Sequence, residues 1–470
     1  MLVSFFGRKS FYLRGGRDVL FRRGRRVALV VVSIVMLPIA VLASDAPNLL
    51  TLGDAIDAAL AQNPQIIAAR HYADAAASGI DGARSGLLPQ LSVSEAYSYT
   101  NSPLWAFGTK LNQGAIQASD FAPEQLNDPD AIANFKTSLN LSWNVFDGGR
   151  TWSGYHQARS GAEAARLGLS RAEQQVIAQV AKRYVGLLLA VENRGVIDQS
   201  LVTAQAHLKL IQDRYGSGLA VKSDVLRAQV RIADLRQQRL MADSRVQVAQ
   251  AMLYAAMGRE DAGPIHPQTP FEKCVSPKGD LGHWIELALT RRPDLKQREL
   301  DRVIARQGVS RSKAGHWPSL ALQGNYEINS EDFNDSHDNY TVGAVVQLDL
   351  YSGQRTSSQV AAAKSALAGT KARYNEAVLQ VRVETQSAFY QAQSTWQSIA
   401  VARAAVDQAD EGLRIVANRY SGGLLTIVDL LDAQVALQQA RTQVFRALHD
   451  YKVARIDLAL ASGTIGKDFR

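Results

Sequence analysis

The sequence has almost no cysteine, and this scarcity excludes two kinds of stabilisation. Cys274 is the only cysteine among 470 residues, so the chain cannot form an intrachain disulfide or a zinc site of the usual cysteine-ligated kind. The eight histidines are scattered, without the close spacing of a metal-binding pair, and no phosphate-binding loop is present. The residues therefore predict no catalytic site, no metal site and no cofactor.

The sequence also lacks a surplus of positive charge once its amino-terminal segment is set apart. The whole chain carries 52 Lys and Arg against 44 Asp and Glu. Residues 1–43 hold eight of the basic residues and one acidic residue, Asp18, which leaves 44 basic against 43 acidic residues in the remainder. Nucleic-acid binding depends on a basic surface, so we expect no nucleic-acid partner.

Long apolar runs are missing after residue 43. Within residues 1–43, a basic region precedes a 17-residue apolar stretch that ends in Val41, Leu42 and Ala43. This order is typical of a secretory signal peptide, and an uncleaved inner-membrane anchor is the alternative because the stretch approaches a membrane-spanning length. Any later membrane contact must come from strands or from an interfacial surface.

The remainder of the chain contains an internal repeat. A shift of 229 residues aligns Asn63-Pro64 with Arg292-Pro293, and a shift of 205 residues then aligns residues 146–150 with residues 351–355. The longer shift means that the first half carries a 24-residue insertion, at about residues 101–134. The shift of 205 also pairs Arg214 with Arg419, Tyr215 with Tyr420, Gly218 with Gly423, Asp224 with Asp429 and Gly258 with Gly463.

Repeat boundaries follow from this alignment and from the placement of proline. We expect a first repeat over residues 44–258, a proline-rich linker over residues 259–282 and a second repeat over residues 283–470. Each repeat is predicted to contain one helix, then two strands, then two long helices.

The long helices are predicted from the absence of helix-breaking residues. None of the 13 prolines lies between residues 130 and 263 or after Pro318. Residues 150–214 and 355–419 are rich in Ala, Gln, Arg, Glu and Val, which favour helix. About 65 helical residues span roughly 100 Å, so these helices need partners along their length, as in a coiled coil.

Between the helices, apolar and polar residues alternate with a period of two. The four segments that show this pattern are residues 91–99, 135–145, 320–328 and 340–350. Such segments are typical of membrane β-barrel strands, and half-buried strands of a soluble sheet are the alternative. Four strands cannot close a barrel, and open edges are not tolerated in lipid, so a barrel would need two, three or four copies of the chain.

Several of these motifs resemble the TolC-like outer membrane factor family. The resemblance covers about residues 50–463 and lies in Leu50-Thr51-Leu52, Ala55-Ile56, Asn63-Pro64, residues 86–89, residues 146–150, and Arg214-Tyr215 with Gly218. It implies an internally duplicated α+β membrane protein that forms a homotrimer. Three chains of four strands would build a 12-stranded β-barrel continuous with a long periplasmic α-helical barrel.

The resemblance also implies a function, partners and a location. A member of this family serves as the outer-membrane channel of a tripartite efflux or type I secretion system in a Gram-negative bacterium. Its partners would be a periplasmic adaptor (a membrane fusion protein), an inner-membrane pump and outer-membrane lipid. A periplasmic adaptor or a structural coiled-coil envelope protein is the alternative, although neither needs four alternating strands.

The family's pore constriction would lie at Asp429 and Asp432. These residues are three apart, so they share one helix face, and three copies would bring six carboxylates around one axis. Crowded like charges raise one another's pKa and attract cations. The alternative is that the aspartates only occupy a helix amino terminus, where the helix dipole favours acidic residues.

The resemblance assigns two further groups of residues at the periplasmic end. Tyr420 and Asp224 match one link that holds the closed state, and packing at a helix turn is the alternative for Tyr420. The second link would face Ser223 with Leu425 in place of the family's arginine, which predicts a weaker link or a closed state held by different residues. The glycines of the two helical turns match the adaptor-docking surface; they are Gly216, Gly218, Gly422 and Gly423. The insertion at 101–134 is expected to be an enlarged extracellular loop.

Overall fold

The structure is a computed structural model, and it describes residues 48–260, 263–269, 271, 274–276, 279–332, 334–466 and 469. The predicted signal peptide, residues 1–43, lies outside the described residues. Within the described part of the chain, no helix combines the length and the apolar character that a membrane span requires.

The first half opens with a short strand and two helices. These are β1 (Asn48–Leu50), α1 (Leu52–Gln62) and α2 (Pro64–Ser85). Asn63 ends α1 and caps α2, because its side-chain oxygen accepts a hydrogen bond from the backbone N–H of Gln65 at 2.8 Å. Pro64 occupies the first position of α2, where its missing N–H costs nothing. The single helix that the sequence predicted before the strands is therefore two helices.

Two strands follow, with the insertion between them. Strand β2 (Gln90–Thr100) leads into α3 (Pro103–Asn112) and α4 (Pro123–Asn127), and the chain returns along β3 (Ile132–Phe146). The insertion thus contains helices of its own. Two long helices complete the first half, α5 (Arg150–Gly216) and α6 (Lys222–Met257).

The second half presents a similar order of elements. They are β4 (Ile265–Pro267), α7 (Leu281–Arg291), α8 (Pro293–Lys313), β5 (Ser319–Ser330), β6 (Ser336–Gln347), α9 (Arg355–Ser421) and α10 (Ile427–Ala461). Helices α5 and α9 each have 67 residues. Strand β4 falls in the segment predicted to be a linker and pairs in parallel with β1, so this segment is attached to the start of the first half.

The four longer strands form one antiparallel sheet in the order β2-β3-β5-β6. One face carries an apolar row across all four strands: Val93, Leu139, Tyr326 and Tyr340. The opposite face carries a polar row: Ser92, Asn140, Asn325 and Thr341. Among the described residues, β2 and β6 each have one unpaired edge, so the sheet is open on both sides.

The long helices pack side by side in the order α6, α5, α10, α9. Their main core surrounds Tyr184 of α5, whose hydroxyl donates a hydrogen bond to the backbone oxygen of Leu50 at 2.9 Å. Helices α6 and α9 lie at the two ends of this row and leave large apolar side chains exposed. These include Val230 and Leu240 on α6 and Val383 and Val401 on α9.

Candidate pore constriction and helical tips

The helical pairs end in two turns with the same backbone geometry. We call residues 214–224 the first tip and residues 419–429 the second tip. The backbone N–H of Leu219 donates to the oxygen of Arg214 at 2.8 Å, and that of Leu424 donates to the oxygen of Arg419 at 2.9 Å. Both bonds close the carboxyl-terminal end of a long helix.

Only two of the four predicted docking glycines need to be glycine for conformational reasons. Gly218 and Gly423 each have φ of +75°, a left-handed conformation that side chains disfavour. Gly216 is instead the last residue of α5, and Gly422 caps α9 with φ of −76°. Gly216 and Gly422 therefore do not need the left-handed backbone that glycine permits.

Tyr420 lies in a small core where the two tips meet. Only 6% of it is exposed, and it packs with residues from both tips and the adjoining helices. Its neighbours are Ile211, Val225, Ala228, Ile427 and Leu430. Burial raises the pKa of the Tyr420 phenol, the nearby Arg214 opposes this, and the charge of Asp224 raises it further, so the hydroxyl stays protonated at neutral pH.

The predicted link between Tyr420 and Asp224 is not a direct hydrogen bond within one chain. Asp224 is half-buried on α6 and lies close enough to affect the pKa of Tyr420. No hydrogen bond joins its carboxylate to the phenol among the described residues. Ser223 is exposed and Leu425 half-buried, and since Leu425 has no polar side-chain atom, it cannot replace a charged link.

Arg214 appeared in the sequence only as part of a repeated motif, with no role assigned to it. Its Nη1 atom donates to the backbone oxygens of Tyr420 at 2.9 Å and Ser421 at 3.0 Å. The guanidinium also lies over the Tyr420 ring, 5.2 Å from its centroid. We call this set of contacts the tip clamp. Its signal in the sequence was the repeated Arg-Tyr pair, but only the structure shows which carbonyls accept.

Asp429 caps α10. Its Oδ2 atom accepts from the backbone N–H of Thr426 at 2.8 Å and from the Thr426 hydroxyl at 2.6 Å. The Thr426 hydroxyl accepts in turn from the backbone N–H of Asp429, which completes a capping box. These hydrogen bonds lower the pKa of Asp429, so the carboxylate is charged at neutral pH.

Asp432 lies one turn further along α10 and has no such structural task. It is exposed and makes no hydrogen bond or ion pair with the described residues. The alternative drawn from the sequence, an acid placed at a helix amino terminus, therefore describes Asp429 within one chain but does not explain Asp432. Across the described residues, no group of His, Cys, Asp and Glu is arranged to hold a metal ion.

The insertion lies on the polar face of the sheet, at the end opposite the long helices. The Gln113 side-chain amide donates to Asn134 Oδ1 at 3.0 Å, and Asn134 donates to Asn329 Oδ1 at 2.9 Å. The Asn339 side chain donates to the backbone oxygen of Asn112 at 3.2 Å. Gln113, Asn134 and Asn329 are all buried, so the insertion covers the sheet instead of extending away from it.

The combination of an open four-stranded sheet and four very long helices is the fold of outer-membrane channel subunits of known structure. The Campylobacter jejuni CmeC outer membrane channel matches with a TM-score of 0.75 at 18% identity, over 89% of this chain and 87% of that chain. Vibrio cholerae VceC matches with a TM-score of 0.72 at 20% identity, over 88% and 96% of the two chains. At these identities the likeness establishes the fold.

The chain belongs to the outer membrane efflux protein family. A sequence model of this family matches residues 55–259 and 284–464. The outer membrane protein TolC of Vibrio cholerae is 24% identical over 430 residues, which cover 88% of this chain and 91% of that protein. The alkaline protease secretion protein AprF of Pseudomonas aeruginosa is 23% identical over 427 residues, covering 88% and 85%. The family resemblance drawn from the repeated motifs is confirmed.

Proposed function

We propose that this chain is the outer-membrane channel subunit of an efflux or type I secretion system in a Gram-negative bacterium, and that it transports substrates without catalysing a reaction. Family membership supports the transport role, and relatives named for the outer membrane and for protease secretion support the location and the pathway. The observation that carries the proposal is the open sheet, apolar on one face and polar on the other, joined to helices of 67 residues.

The open sheet favours an oligomer, and membership of the family favours three copies among the possible numbers. A strand edge left unpaired in lipid exposes polar backbone groups at a cost of several kcal/mol each. Pairing β6 of one copy with β2 of the next removes both edges, and three copies give a 12-stranded barrel surrounded by outer-membrane lipid. The exposed apolar side chains of α6 and α9, at the two ends of the helix row, are suited to the same subunit contact below the barrel.

An internal duplication is supported by the two halves of the chain. The equal lengths of α5 and α9 and the shared geometry of the tips fit repeats over residues 44–258 and 283–470, joined by residues 259–282. Six similar helical pairs around the axis of a trimer would then form the periplasmic α-helical barrel.

The tips are the proposed docking surface for a periplasmic adaptor, which would connect the channel to an inner-membrane pump. Leu219 and Leu424 occupy equivalent positions beside Gly218 and Gly423, and both leucines are largely exposed. Exposed apolar side chains next to turns of fixed shape suit a protein partner. The carboxylates of Asp429 and Asp432 would form the constriction at the same end.

Single-channel conductance of the purified protein in a planar bilayer tests the channel and its constriction together. We expect a small, cation-preferring conductance for the wild type. The double variant Asp429→Ala/Asp432→Ala should conduct severalfold more and lose its cation preference, because six carboxylates leave the narrowest point.

Asp54→Ala is the matched control for the loss of a helix cap. Asp54 forms the same capping box with Thr51 at the start of α1, away from the tips, so this variant should conduct like the wild type. A stable pore that the double variant leaves unchanged would refute the constriction but keep the channel. Folded, oligomeric protein that forms no pore would refute the channel and favour an adaptor or a structural coiled-coil protein.

A further inference from the structure

Arg214 and Arg419 occupy equivalent positions, but only one of them is engaged within the chain. Each lies in the last turn of a 67-residue helix, and the shift of 205 residues relates them. Arg214 forms the tip clamp with the second tip. The Arg419 side chain is exposed and has no hydrogen bond or ion pair with the described residues.

The acceptors of the tip clamp are also duplicated, and among the described residues no side chain donates to the second set. Tyr420 and Ser421, whose carbonyls bind Arg214, correspond to Tyr215 and Gly216 at the end of α5. The Tyr215 oxygen accepts from the backbone N–H of Gly218 at 3.0 Å, as the Tyr420 oxygen does from Gly423 at 3.0 Å. The difference is burial, because 45% of Tyr215 is exposed against 6% of Tyr420.

We propose that Arg419 of each subunit binds the first tip of the neighbouring subunit and so repeats the tip clamp across the subunit interface. Its guanidinium donates to the backbone oxygens of Tyr215 and Gly216 of that neighbour and covers the Tyr215 ring. This inference rests on the proposed homotrimer, and its partner is a second copy of this chain.

The pairing follows if successive tips around the closed ring are related by similar rotations, as the repeat of 205 residues suggests. Going round the ring, the first and second tips alternate, so the second tip of one subunit is followed by the first tip of the next. A rotation that carries the first tip onto the second carries the second tip onto the neighbour's first tip. The contact from Arg214 to Tyr420 therefore becomes a contact from Arg419 to Tyr215.

Burial along α9 supports the same interface. Val383 and Val401 are exposed on α9, whereas the residues 205 positions earlier on α5, Ala178 and Val196, are buried within the chain. Helix α5 is covered by α10 of its own chain, and α9 lies at the end of the helix row. The uncovered face of α9 thus lacks the neighbour that α5 already has.

The chemistry favours arginine for this contact. The last carbonyls of a helix carry the negative end of its dipole, and a planar guanidinium can donate to two of them while stacking on an aromatic ring. Lysine supplies the charge but neither the fixed fork nor the flat face.

Chemical cross-linking tests the contact directly. In a Cys274→Ser background, Arg419→Cys is combined with Gly216→Cys and treated with a short bis-maleimide. Space is open around the Gly216 position, since no atom lies within 4 Å of an added Cβ. We expect covalent dimers and trimers on a denaturing gel. The equivalent pair, Arg214→Cys with Ser421→Cys, is the matched control and should give only cross-linked monomers.

The outcomes separate the clamp from the channel. If both double variants form pores but Arg419→Cys/Gly216→Cys gives no intersubunit product, the intersubunit clamp is refuted and the proposed function stands. If the protein is monomeric and forms no pore, the proposed trimer fails and the clamp fails with it.

The frequency of channel opening in Arg419 variants provides a second test. In bilayer recordings, the Arg419→Ala channel should enter an open state of high conductance severalfold more often than the wild type. The opening frequency of Arg419→Lys should lie between the two. Equal opening frequencies for Arg419→Ala, Arg419→Lys and the wild type would contradict the clamp even if cross-links form.

Discussion

Arg292 is almost fully buried at the junction of four helices. Its guanidinium forms ion pairs of 2.6 Å with Asp294 of α8 and of 2.6 Å with Glu384 of α9. It also donates to the backbone oxygen of Ala461, at the end of α10, at 3.3 Å, while Arg171 of α5 lies 3.6 Å from Asp294. Burial opposes the charge of Arg292, but its hydrogen bonds to the two carboxylates raise its pKa overall.

Arg292→Ala should therefore lower the free energy of unfolding by about 2–3 kcal/mol, since it leaves two carboxylates and a helix-end carbonyl without their shared donor. Urea unfolding followed by circular dichroism would measure this. The control is Arg298→Ala in α8, the helix that begins directly after Arg292. This variant removes an exposed pair with Asp301, and exposed pairs contribute at most about 1 kcal/mol. Equal midpoints for the two variants would contradict a structural role for Arg292.

The same measurement against pH tests the charge of Asp294. Burial would raise the pKa of this carboxyl, but the neighbouring Arg292 and Arg171 lower it overall. A carboxyl with a lowered folded-state pKa stabilises the protein above its unfolded pKa of about 3.9 and loses this effect as the pH falls through the folded value. The difference in the free energy of unfolding between the wild type and Asp294→Asn should accordingly be greatest at pH 6 and should decrease below about pH 4.

Gly258, at the end of α6, shows how closely the helix ends approach one another. It has φ of +75°, and a Cβ added there would lie 2.6 Å from the Gln62 oxygen and 2.7 Å from the Asn63 Cα atom. Both are backbone atoms at the junction of α1 and α2, so they cannot move aside as a flexible side chain would. Gly218 has the same φ of +75° in open space.

Alanine substitutions at Gly218 and Gly258 distinguish the cost of a left-handed backbone from the cost of steric crowding. Gly218→Ala should cost about 1 kcal/mol, the cost of a left-handed side-chain residue, and Gly258→Ala about 1–3 kcal/mol more because of overpacking. Thermal midpoints of the purified variants would show the difference. Identical midpoints would mean that the α1–α2 junction moves to accommodate the added methyl group at little cost and does not constrain the end of α6.

Element boundaries were predictable where single residues determine them. The predicted helices over residues 150–214 and 355–419 begin at the first residues of α5 and α9 and end two residues before those helices do. Both segments lack proline, and a glycine lies within two residues after the end of each helix. The alternation in residues 135–145 and 340–350 likewise located β3 and β6. The break at Asn63-Pro64 was visible in the sequence as a repeated motif, but the capping hydrogen bond that divides the helix there was not predicted.

Contacts between distant segments were beyond the sequence. The tip clamp joins residues 206 and 207 positions apart, and the insertion binds Asn134, whose own partner Asn329 lies 195 positions away. A polar residue on an alternating strand can face solvent or be buried under another segment. The sequence alone therefore did not show that the insertion covers Asn134. The roles of Asp429 and Asp432 in a pore depend on copies of the chain and stay predictions.

The two faces of the whole sheet differ enough to be tested by paired substitutions. Val342 lies in register with Gly324 on the apolar face, and its neighbour Thr341 lies in register with Asn325 on the polar face. In a membrane barrel, Val342→Arg would place a charge in lipid at a cost of about 2–4 kcal/mol, whereas Thr341→Arg would point into the lumen.

Val342→Arg should thus reduce the amount of heat-resistant oligomer in outer-membrane fractions, while Thr341→Arg should assemble normally and lower the cation conductance. Gel mobility before and after boiling gives the first readout, and bilayer recordings give the second. The opposite pattern, with Thr341→Arg blocking assembly, would mean that the polar face is turned away from the lumen.

The insertion that covers the polar face has an electrical consequence for such a duct. If that face lines the pore and the tip carboxylates form the proposed constriction, the insertion narrows one end of the water path and the carboxylates narrow the other. Two narrow points along one path act as resistances in series, so the larger one limits the current. Widening the tips can then raise the conductance only to the value set by the end that the insertion narrows.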